Sequence, residues 1–556
     1  MQFKFIQVVA AIITLMLLAV TPVVADTSTV RDIWIDGHEY AAVLEENLRV
    51  DNARDSDLAG THYKGHFPEY PGSWVRVSRL DSGWEGLAYV FGRMHAIGDA
   101  PRASRVTSFS TSQLEAPQCG LDHLHGRTFI TPQSLTGRAM AQAVSASYDT
   151  LCANKVDGAC LMLELELAFD QQFQDRFPGD FQGRAGAILN MVEGFYADQF
   201  GIVFDTLSLT FTGPGTFDST TDAGTLLDDV TARRGARILP FLESERSIFH
   251  LISGRDFAGS TAGLAWVGTV CYSQGYASGI TNAYNSNATT AVVIAHEIGH
   301  NLGASHDSPD NGCDEGVNIM SPYVVSSATQ FSQCSDDAIT NRISQLNSVE
   351  QCFNFPADAG LIAVSGNPSE VQAQSSFQAH FDIAYRRAAE PADGLVVAGA
   401  IGDQEGRLLG VSVGGAACTL LGTDAYDCGE IQARTGLQLS VHAVAGDRPT
   451  FSLLQNVSLA SSSGDVKDIR PINDSILTEI AVTDNESGTT GDPDDAEPTS
   501  GTPEATGSDS GGGGGGGGGG SVSWWWLVVA VFAAGLRRQG RVGQPVRVIG
   551  LPGWRN

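Results

Sequence analysis

The sequence predicts three folded parts: a strand-rich N-terminal part, an α/β central domain and a small C-terminal β-sandwich. In the first part, apolar and polar residues alternate over Trp74–Leu80, which is typical of a strand. The central part has apolar residues at helical spacing between Ala291 and Leu302. Short alternating segments at Phe377–Ile383 and Leu437–Val441, separated by Gly and Asp turns, predict the sandwich.

The charge of the chain excludes one class of partner. Acidic residues outnumber basic ones by 63 to 33, and the formal net charge is −30. Because such a field repels phosphates, the composition argues against nucleic-acid binding and favours solubility outside a cell.

Residues 1–25 predict an export signal. An apolar run from Val8 to Val20 follows Lys4 and leads to a small-residue cleavage site at Val23–Ala25. A membrane anchor is the alternative, although the run is short for a span. Export places the nine cysteines in an oxidising compartment.

Residues 295–307 carry the candidate chemistry. His296 and His300 lie one turn apart on the predicted helix, so both imidazoles point to one place. Gly303 can adopt the left-handed conformation that ends the helix, and the chain can then bring His306 to the same place. Three neutral imidazoles leave a fourth tetrahedral position open to water, as in a catalytic zinc site.

Glu297 lies next to the first of these histidines and is placed to act as a general base. A histidine-rich helix without a metal is the other interpretation. The full pattern HExxHxxGxxH on a helical segment is much more specific than HExxH alone, and it favours the zinc site.

The residues after the motif resemble the Met-turn of the metzincin zinc peptidases. In that family a methionine, here Met320, lies beneath the metal, and the residues after it shape the pocket for the substrate side chain that follows the scissile bond. Tyr323 stands three places after Met320, unlike the Met-x-Tyr spacing of astacins and serralysins. We therefore do not predict a tyrosine ligand.

Within the metzincins, the chain resembles the adamalysin (reprolysin, ADAM) branch. Asp307 directly follows the third histidine, and similarity over about residues 158–356 includes Leu161–Asp170, Ile188–Leu209 and Phe249–Phe257. The resemblance implies an α/β domain with a mixed twisted sheet and two long helices above a cleft. It also implies an edge strand along which substrate lies extended, at Gly263, Leu264, Ala265 and Trp266.

Many adamalysins also carry a structural calcium site. Glu164 fits one ligand of that site, whereas Ser247 stands where the family has an aspartate. The sequence therefore leaves a Ca²⁺ site open beside the predicted catalytic Zn²⁺.

The resemblance implies two disulfides, Cys271–Cys352 and Cys313–Cys334. Cys418 and Cys428 are close enough in sequence to clip a hairpin, and a Cys152–Cys160 pair stays open.

Cys119 is then left over, in the segment Ala116–Asp122, which resembles the cysteine switch of matrixin and ADAM propeptides. Its thiolate would bind the zinc and keep the enzyme latent; an unrelated or intermolecular bridge is the alternative. Activation could follow cleavage after Arg127, after Arg138 or elsewhere before Leu161.

The C-terminal end resembles the GlyGly-CTERM sorting signal of Gram-negative bacteria. Ten glycines, Gly511–Gly520, precede the apolar run Trp524–Leu536, which Arg537 and Arg538 close. The resemblance implies processing by a rhombosortase-like protease and transient membrane contact. Because the chain continues over residues 539–556, a permanent anchor stays open.

The predicted organisation is a signal peptide (1–25), a propeptide with a cysteine switch (26–157), a metzincin protease domain (158–356), a β-sandwich (357–483), a disordered linker (484–520), a sorting or anchor segment (521–538) and a basic tail (539–556). The sandwich could bind substrate or matrix, or act as a spacer. We expect a zinc endopeptidase at a bacterial surface or outside the cell, acting on extracellular proteins broadly or on one partner. The alternative is a surface adhesin on an inactive protease fold. The presence of all three histidines and Glu297 favours catalysis.

Overall fold

The computed structural model describes most of residues 29–484. Within that range it leaves out residues 36–37, 52–57, 99–103, 106–117, 120–146, 243, 245, 273, 326–327, 347–348, 350–352, 389–393, 404 and 461–465. The predicted signal peptide, the cleavage candidates Arg127 and Arg138, Cys352 and the predicted sorting signal lie outside the described residues. Among the residues described, no helix is both long and apolar enough to cross a membrane.

The first part, here called the N-terminal sheet, is an antiparallel meander in which each strand pairs with the next along the chain. Its strands are β1 Thr29–Ile35, β2 His38–Glu46, β3 Thr61–His66, β4 Trp74–Leu80, β5 Gly83–Val90, β6 Arg93–Ile97 and β7 Ser104–Arg105, with a short helix α1 at Leu48–Asp51.

The predicted strand Trp74–Leu80 is present as β4, but both of its faces are covered. Val75 and Val77 pack in the core of the N-terminal sheet. Trp74 lies in the core of the central domain, and its ring meets Phe195 edge-on with the centroids 5.7 Å apart. The polar residues Arg76 and Ser78 of β4 are therefore buried, where sequence alternation alone would place them in solvent, while Arg79 is exposed.

The central domain contains a mixed sheet in the order β10-β9-β11-β13-β12-β8. Strands β9, β10, β11 and β13 are parallel, β12 is antiparallel to β13, and the short β8 runs parallel to β12. The elements are β8 Gln118–Cys119, α2 Tyr148–Leu151, β9 Leu161–Phe169, α3 Gln171–Arg176, α4 Phe181–Phe200, β10 Ile202–Phe211, α5 Ala223–Gly235, β11 Ile248–Ser253, β12 Thr261–Ala265, β13 Ser278–Asn282, α6 Asn287–Asn301 and α7 Gln333–Ser344.

The two long helices α4 and α6 pack against each other and on the sheet. Helix α4 contributes a nearly continuous buried surface, and Tyr196 donates a hydrogen bond of 2.6 Å to the Ala295 carbonyl oxygen of α6. The position of α6 relative to α4 is thereby fixed one residue before the first candidate metal ligand, His296.

Residues 147–157 pack on the central domain, although the sequence assigns them to the propeptide. The Tyr148 hydroxyl donates to the Phe200 carbonyl oxygen at 2.5 Å, and the Tyr148 amide donates to Ser344 Oγ at 2.9 Å. Cys152 forms a disulfide with Cys160, the pairing that the sequence left open. In the structure this stretch therefore belongs with the central domain.

The C-terminal part consists of two sheets, whose strands are β14 Phe353–Ala363, β15 Glu370–Gln372, β16 Ser376–Arg387, β17 Gly394–Ile401, β18 Arg407–Val413, β19 Ala416–Ala417, β20 Thr419–Leu420, β21 Ala425–Gln432, β22 Leu437–Val444, β23 Thr450–Leu459, β24 Val466–Asp468 and β25 Ser475–Thr483. One sheet has the order β19-β18-β22-β16-β14, and the other has the order β15-β25-β23-β17-β21-β20. Phe377 and Phe451, one from each sheet, meet edge-on with ring centroids 5.0 Å apart.

Strand β14 joins the central domain to the C-terminal sheets. Strand β14 spans the predicted boundary after residue 356 and pairs with β9 of the central sheet, with Phe353 opposite Leu163 and Asn354 opposite Met162. The two parts therefore share one continuous sheet, which a change in sequence composition does not reveal.

Two further predicted disulfides are present, Cys313–Cys334 and Cys418–Cys428. Cys271 is also disulfide-bonded, and its predicted partner Cys352 lies outside the described residues. Cys119 is buried and takes part in no disulfide.

Candidate metal centre

Helix α6 presents the first two candidate ligands. Ser286 caps its N-terminus by accepting a hydrogen bond from the Thr289 amide, and the helix runs to Asn301. The Nδ1 atom of His296 lies 2.6 Å from the Ile319 carbonyl oxygen, and that of His300 lies 2.8 Å from the Ala304 carbonyl oxygen. Because a carbonyl only accepts, each Nδ1 carries the proton and each Nε2 keeps a lone pair for a metal.

The predicted turn at Gly303 brings the third histidine, His306, to the first two. Gly303 has a φ of +107°, in the region that favours glycine, and the chain reverses there. The His306 ring centroid lies 4.9 Å from that of His300 and 5.2 Å from that of His296. The structure therefore brings all three histidines together.

Cys119 completes the cluster. Its Sγ lies 3.5 Å from His300 Nε2, and the candidate ligand atoms of Cys119, His296, His300 and His306 all lie within 4.8 Å of one another. Strand β8 places the thiol there by pairing with β12, and the Cys119 amide donates to the Pro322 carbonyl oxygen at 3.1 Å. Three imidazoles and one thiol are a donor set typical of Zn²⁺.

The arrangement of the histidine nitrogen atoms fits a bound cation. The Nε2 atoms of His296 and His300 are only 3.0 Å apart, and with both Nδ1 atoms protonated neither can donate to the other. A metal ion between the two lone pairs would remove their repulsion. Burial first, and then the neighbouring His306, lowers the pKa of His296 to about 3, so the imidazole stays in the neutral form that binds metals.

Glu297 lies beside the cluster and is fully buried. Its Oε2 is 3.9 Å from Cys119 Sγ, and its Oε1 has no hydrogen-bond partner. Burial raises the pKa of Glu297 well above its usual range, and a hydrogen bond from Cys119 opposes that shift. A nearby cation would favour the carboxylate, so this residue also fits a metal-containing site.

Gly263 makes room for this carboxylate. A Cβ built on Gly263 would lie 2.5 Å from Glu297 Oε1 and 2.8 Å from its Cγ. The sequence placed Gly263 on the edge strand with Leu264, Ala265 and Trp266. The strand β12 contains the first three of these residues and ends at Ala265.

Trp266 departs from the predicted edge strand. Its Nε1 donates to Thr231 Oγ1 at 2.8 Å, and its ring meets Tyr276 at a centroid distance of 5.2 Å. Its side chain is buried in the second hydrophobic core, with helix α5. Trp266 therefore anchors the end of the strand and does not line the edge that pairs with β8.

Met320 is fully buried against helix α6. A Cβ built on Gly299 would lie 2.7 Å from Met320 Sδ, so the absence of a side chain at Gly299 lets the Met-turn pack between the two ligand positions of the helix. The carbonyl oxygen of the preceding residue, Ile319, accepts a hydrogen bond from His296 Nδ1. The Met-turn thus supports the first ligand directly.

Two supporting residues were not assigned a role from the sequence. Asn301 Nδ2 donates to the carbonyl oxygens of Trp266 and Ser278, at 2.9 and 3.1 Å, and so ties the end of α6 to the sheet. Asp307 Oδ1 accepts from Ser332 Oγ at 2.5 Å, and its amide donates to the Met320 carbonyl oxygen. Both side chains are completely buried, which only tertiary packing decides. The sequence shows only that Asn301 lies within the motif and that Asp307 follows it.

An apolar pocket lies next to the cluster. It is bounded by Val292 and Val293 on α6 and by Tyr323–Val325 after the Met-turn, with His296, Glu297 and Cys119 at its inner side. This is where the resemblance predicted that the residues after Met320 would shape a substrate pocket.

The calcium site that the sequence left open does not fit the residues present. Glu164 Oε1 accepts from Arg246 Nη2 at 2.6 Å, and its Oε2 accepts from Ser244 Oγ at 2.6 Å. Arg246 Nη2 also donates to Asn354 Oδ1 at 3.1 Å. A guanidinium group already supplies the positive charge at Glu164, while Ser247 donates to Glu166, so we assign no Ca²⁺ to this position.

The central domain matches a metallopeptidase family over most of its length. Residues 162–332 match the family model Reprolysin_5, described as metallo-peptidase family M12, which supports a reprolysin-like, zinc-dependent peptidase domain. Among solved structures, a cohesin module from a family 33 glycoside hydrolase of Clostridium perfringens is 10% identical, over 23% of this chain and 99% of that one, with a TM-score of 0.17. A conjugative transposon lipoprotein from Bacteroides eggerthii is 8% identical, over 23% and 96%, with a TM-score of 0.14. With TM-scores this low, neither structure carries an argument.

Proposed function

We propose that the chain is the latent precursor of a zinc-dependent endopeptidase that cleaves extracellular proteins. The convergence of His296, His300 and His306 on one point beside the buried Glu297 carries this proposal. When bound there, zinc would polarise the scissile carbonyl and lower the pKa of water. The carboxylate of Glu297 would take the proton from water and pass it to the leaving amine.

The edge of β12 that does not pair with β13 suits an extended substrate. Strand β8 occupies that edge in the structure and pairs with Thr261 and Gly263. A substrate strand placed there would make main-chain hydrogen bonds that depend little on its sequence. The pocket bounded by valines and Tyr323 favours a substrate with an apolar side chain next to the scissile bond.

The test is zinc content and casein cleavage by the protein freed of residues 26–146, compared with its Glu297→Ala variant. We expect the variant to lose on the order of 10²–10⁴-fold in rate and to keep its zinc, because Glu297 moves a proton and does not hold the metal. Stoichiometric zinc without cleavage of casein or a peptide library would instead favour a binding module on an inactive protease fold. A folded protein without zinc would refute the proposal.

Latency is proposed to depend on the Cys119 thiol. In the uncut chain, Cys119→Ser replaces a strong zinc ligand by a weak one, so we expect peptide hydrolysis to rise by about tenfold or more. Cys418→Ser combined with Cys428→Ser, which removes a disulfide from a distant hairpin and leaves no new thiol, is the control for loss of cysteine side chains. Unchanged latency in the Cys119→Ser chain would rule out the switch.

Export and retention at a bacterial surface are proposed from the sequence segments at the two ends. The disulfides Cys152–Cys160, Cys313–Cys334 and Cys418–Cys428 support an oxidising compartment. Deleting residues 521–556 should release the protein into the medium of the producing cells, which fractionation measures. Retention of the truncated protein at the surface would contradict a sorting role for this segment.

A further inference from the structure

One face of helix α4 is built to receive the N-terminal sheet. Its residues recur every three or four positions and so share a side of the helix, here called the docking face: Gly183, Gly186, Asn190, Glu193 and Gly194. A Cβ built on Gly194 would lie 2.8 Å from the Trp74 ring and 2.9 Å from Arg76 Cγ, and one built on Gly186 would overlap the His62 ring. The glycines let strands β3 and β4 approach the helix closely.

A buried ion cluster lies at the centre of the contact. Glu193 Oε1 accepts from Arg49 Nη2 at 2.9 Å and lies 3.9 Å from Arg76 Nη2, while Glu193 Oε2 accepts from Arg49 Nε at 3.3 Å. The three side chains are only 9%, 8% and 2% exposed for Arg49, Arg76 and Glu193. Replacing one partner inside the packed contact would leave a buried charge without its counterpart, so the cluster makes the docked arrangement specific.

Asn190 extends the match to the backbone of the N-terminal sheet. Its Nδ2 donates to the carbonyl oxygens of Tyr63 and Val77, at 3.1 and 3.2 Å, and its Oδ1 accepts from Asn47 Nδ2 at 3.0 Å. Asn47 and Asn190 are completely buried. This contact is therefore specific in its polar groups as well as in its shape.

The C-terminal sheets contribute to the same contact. Arg49 Nη1 donates to the Ile469 carbonyl oxygen at 3.1 Å, and Arg470 pairs with Glu45 at 3.4 Å. On the central domain, Asp157 pairs with Lys64. None of these groups lies in the metal centre, so the contact is separate from Cys119.

We propose that the N-terminal sheet binds the docking face as an independent inhibitor module, which keeps Cys119 at the metal centre after the chain between Cys119 and Ser147 is cut. This inference rests on the proposed peptidase function. Once docked, the sheet holds Cys119 near the metal centre at a high effective concentration, so the cut alone does not free the cleft. Activation then needs two events, cleavage and dissociation of the sheet.

The test uses the full chain with the recognition sequence of a site-specific protease inserted between residues 120 and 146. After the cut, gel filtration without reducing agent follows the two pieces, and a peptide assay follows hydrolysis. We expect the pieces to elute together and hydrolysis to stay at least about tenfold below that of the separated C-terminal piece.

Gly186→Ala combined with Gly194→Ala tests the docking face itself. Alanine favours a helix over glycine, so the C-terminal piece should keep its melting temperature, while binding of the N-terminal sheet weakens by on the order of 10–100-fold. Gly213→Ala, at a glycine with open space around it, is the matched control. Arg49→Ala, which leaves the central domain unaltered, should also weaken binding.

The outcomes separate the two proposals. Pieces of the parent chain that come apart on cutting, with full hydrolysis, would overturn the docked inhibitor and leave the peptidase standing. Pieces that stay together equally in the parent and in the glycine and arginine variants would overturn the docking face. Pieces that separate only in the variants, with zinc bound and no hydrolysis, would support docking and refute the peptidase.

Discussion

At the scale of single residues, the candidate general base depends on a neighbour that has no side chain. Glu297 points from α6 toward strand β12, and its carboxylate fills the space that a side chain at Gly263 would need. The spacing of the HExxH motif gives Glu297 its place on the helix. Strand β12, which passes beside the Glu297 side chain, determines where the carboxylate lies.

We therefore predict that Gly263→Ala impairs hydrolysis without loss of zinc. The new methyl group would displace the Glu297 carboxylate, and a shift of about 1 Å in a catalytic group can cost ~100-fold in rate. The measurement is kcat and KM on a peptide substrate together with zinc content, and Gly213→Ala is the control. A variant that hydrolyses peptides at the parent rate would show that the carboxylate has room to move.

At the scale of elements, an arginine ties together two strands at the position where the family resemblance left a calcium site open. The Glu164 side chain on β9 is 7% exposed, and Arg246 links it to Asn354 on β14. Burial would raise the pKa of Glu164, but hydrogen bonds from Arg246 and Ser244 outweigh burial and hold the pKa below its usual range. The guanidinium is part of the chain, so this link needs no ion from solution.

Arg246→Ala should accordingly lower the free energy of unfolding by about 1–3 kcal/mol, because a largely buried carboxylate loses its charged donor. Arg233→Ala removes an ion pair with Asp229 whose partners are 31% and 21% exposed, and it should cost only a few tenths of a kcal/mol. Thermal unfolding at saturating zinc compares the two variants. Adding CaCl₂ should leave the melting temperature of the parent protein unchanged, and a clear rise would restore the calcium site.

At the scale of the whole molecule, acid should release the N-terminal sheet. Burial lowers the pKa of His62 to about 4 from an ordinary 6.5. For Glu193 burial acts upward, but Arg49, Arg76 and Asn47 outweigh it and lower the pKa to about 2 from 4.5. At His62 and Glu193 the docked state thus binds fewer protons than the separated state, so these two groups weaken docking as the pH falls below about 6.5, first His62 and then Glu193. Burial raises the pKa of Glu85 and of Asp198, and these two carboxyl groups oppose the effect in part.

Gel filtration of the cut chain from neutral pH downward measures this release, with co-elution as the readout so that loss of zinc does not interfere. Other charged groups near the contact include Glu45, Lys64, Glu85, Asp157, Asp198 and Arg470, and Ser78 Oγ lies 2.7 Å from His62 Nδ1. Glu193→Gln should remove the part of the pH dependence of binding that Glu193 causes below about pH 4.5, and it should leave the part due to His62. Binding that stays constant down to pH 4 would contradict the prediction.

The sequence by itself determined the local chemistry of the centre. The spacing of His296, Glu297, His300 and His306 requires only a helix followed by a turn at Gly303, and both are short-range properties of the chain. The disulfides Cys313–Cys334 and Cys418–Cys428 followed from family resemblance and from short separation. Strands such as β4 followed from alternation, because side chains point to opposite faces at successive residues.

Only the tertiary structure decided which surfaces are buried together. The docking face on α4 and its contact with β3 and β4 join residues more than a hundred positions apart, and no local pattern encodes that distance. The same holds for the continuation of the central sheet through β14, for Arg246 in place of calcium and for the burial of Trp266. Packing between distant elements sets these features. A single sequence gives the identity of the residues involved, but it does not show which of them come into contact.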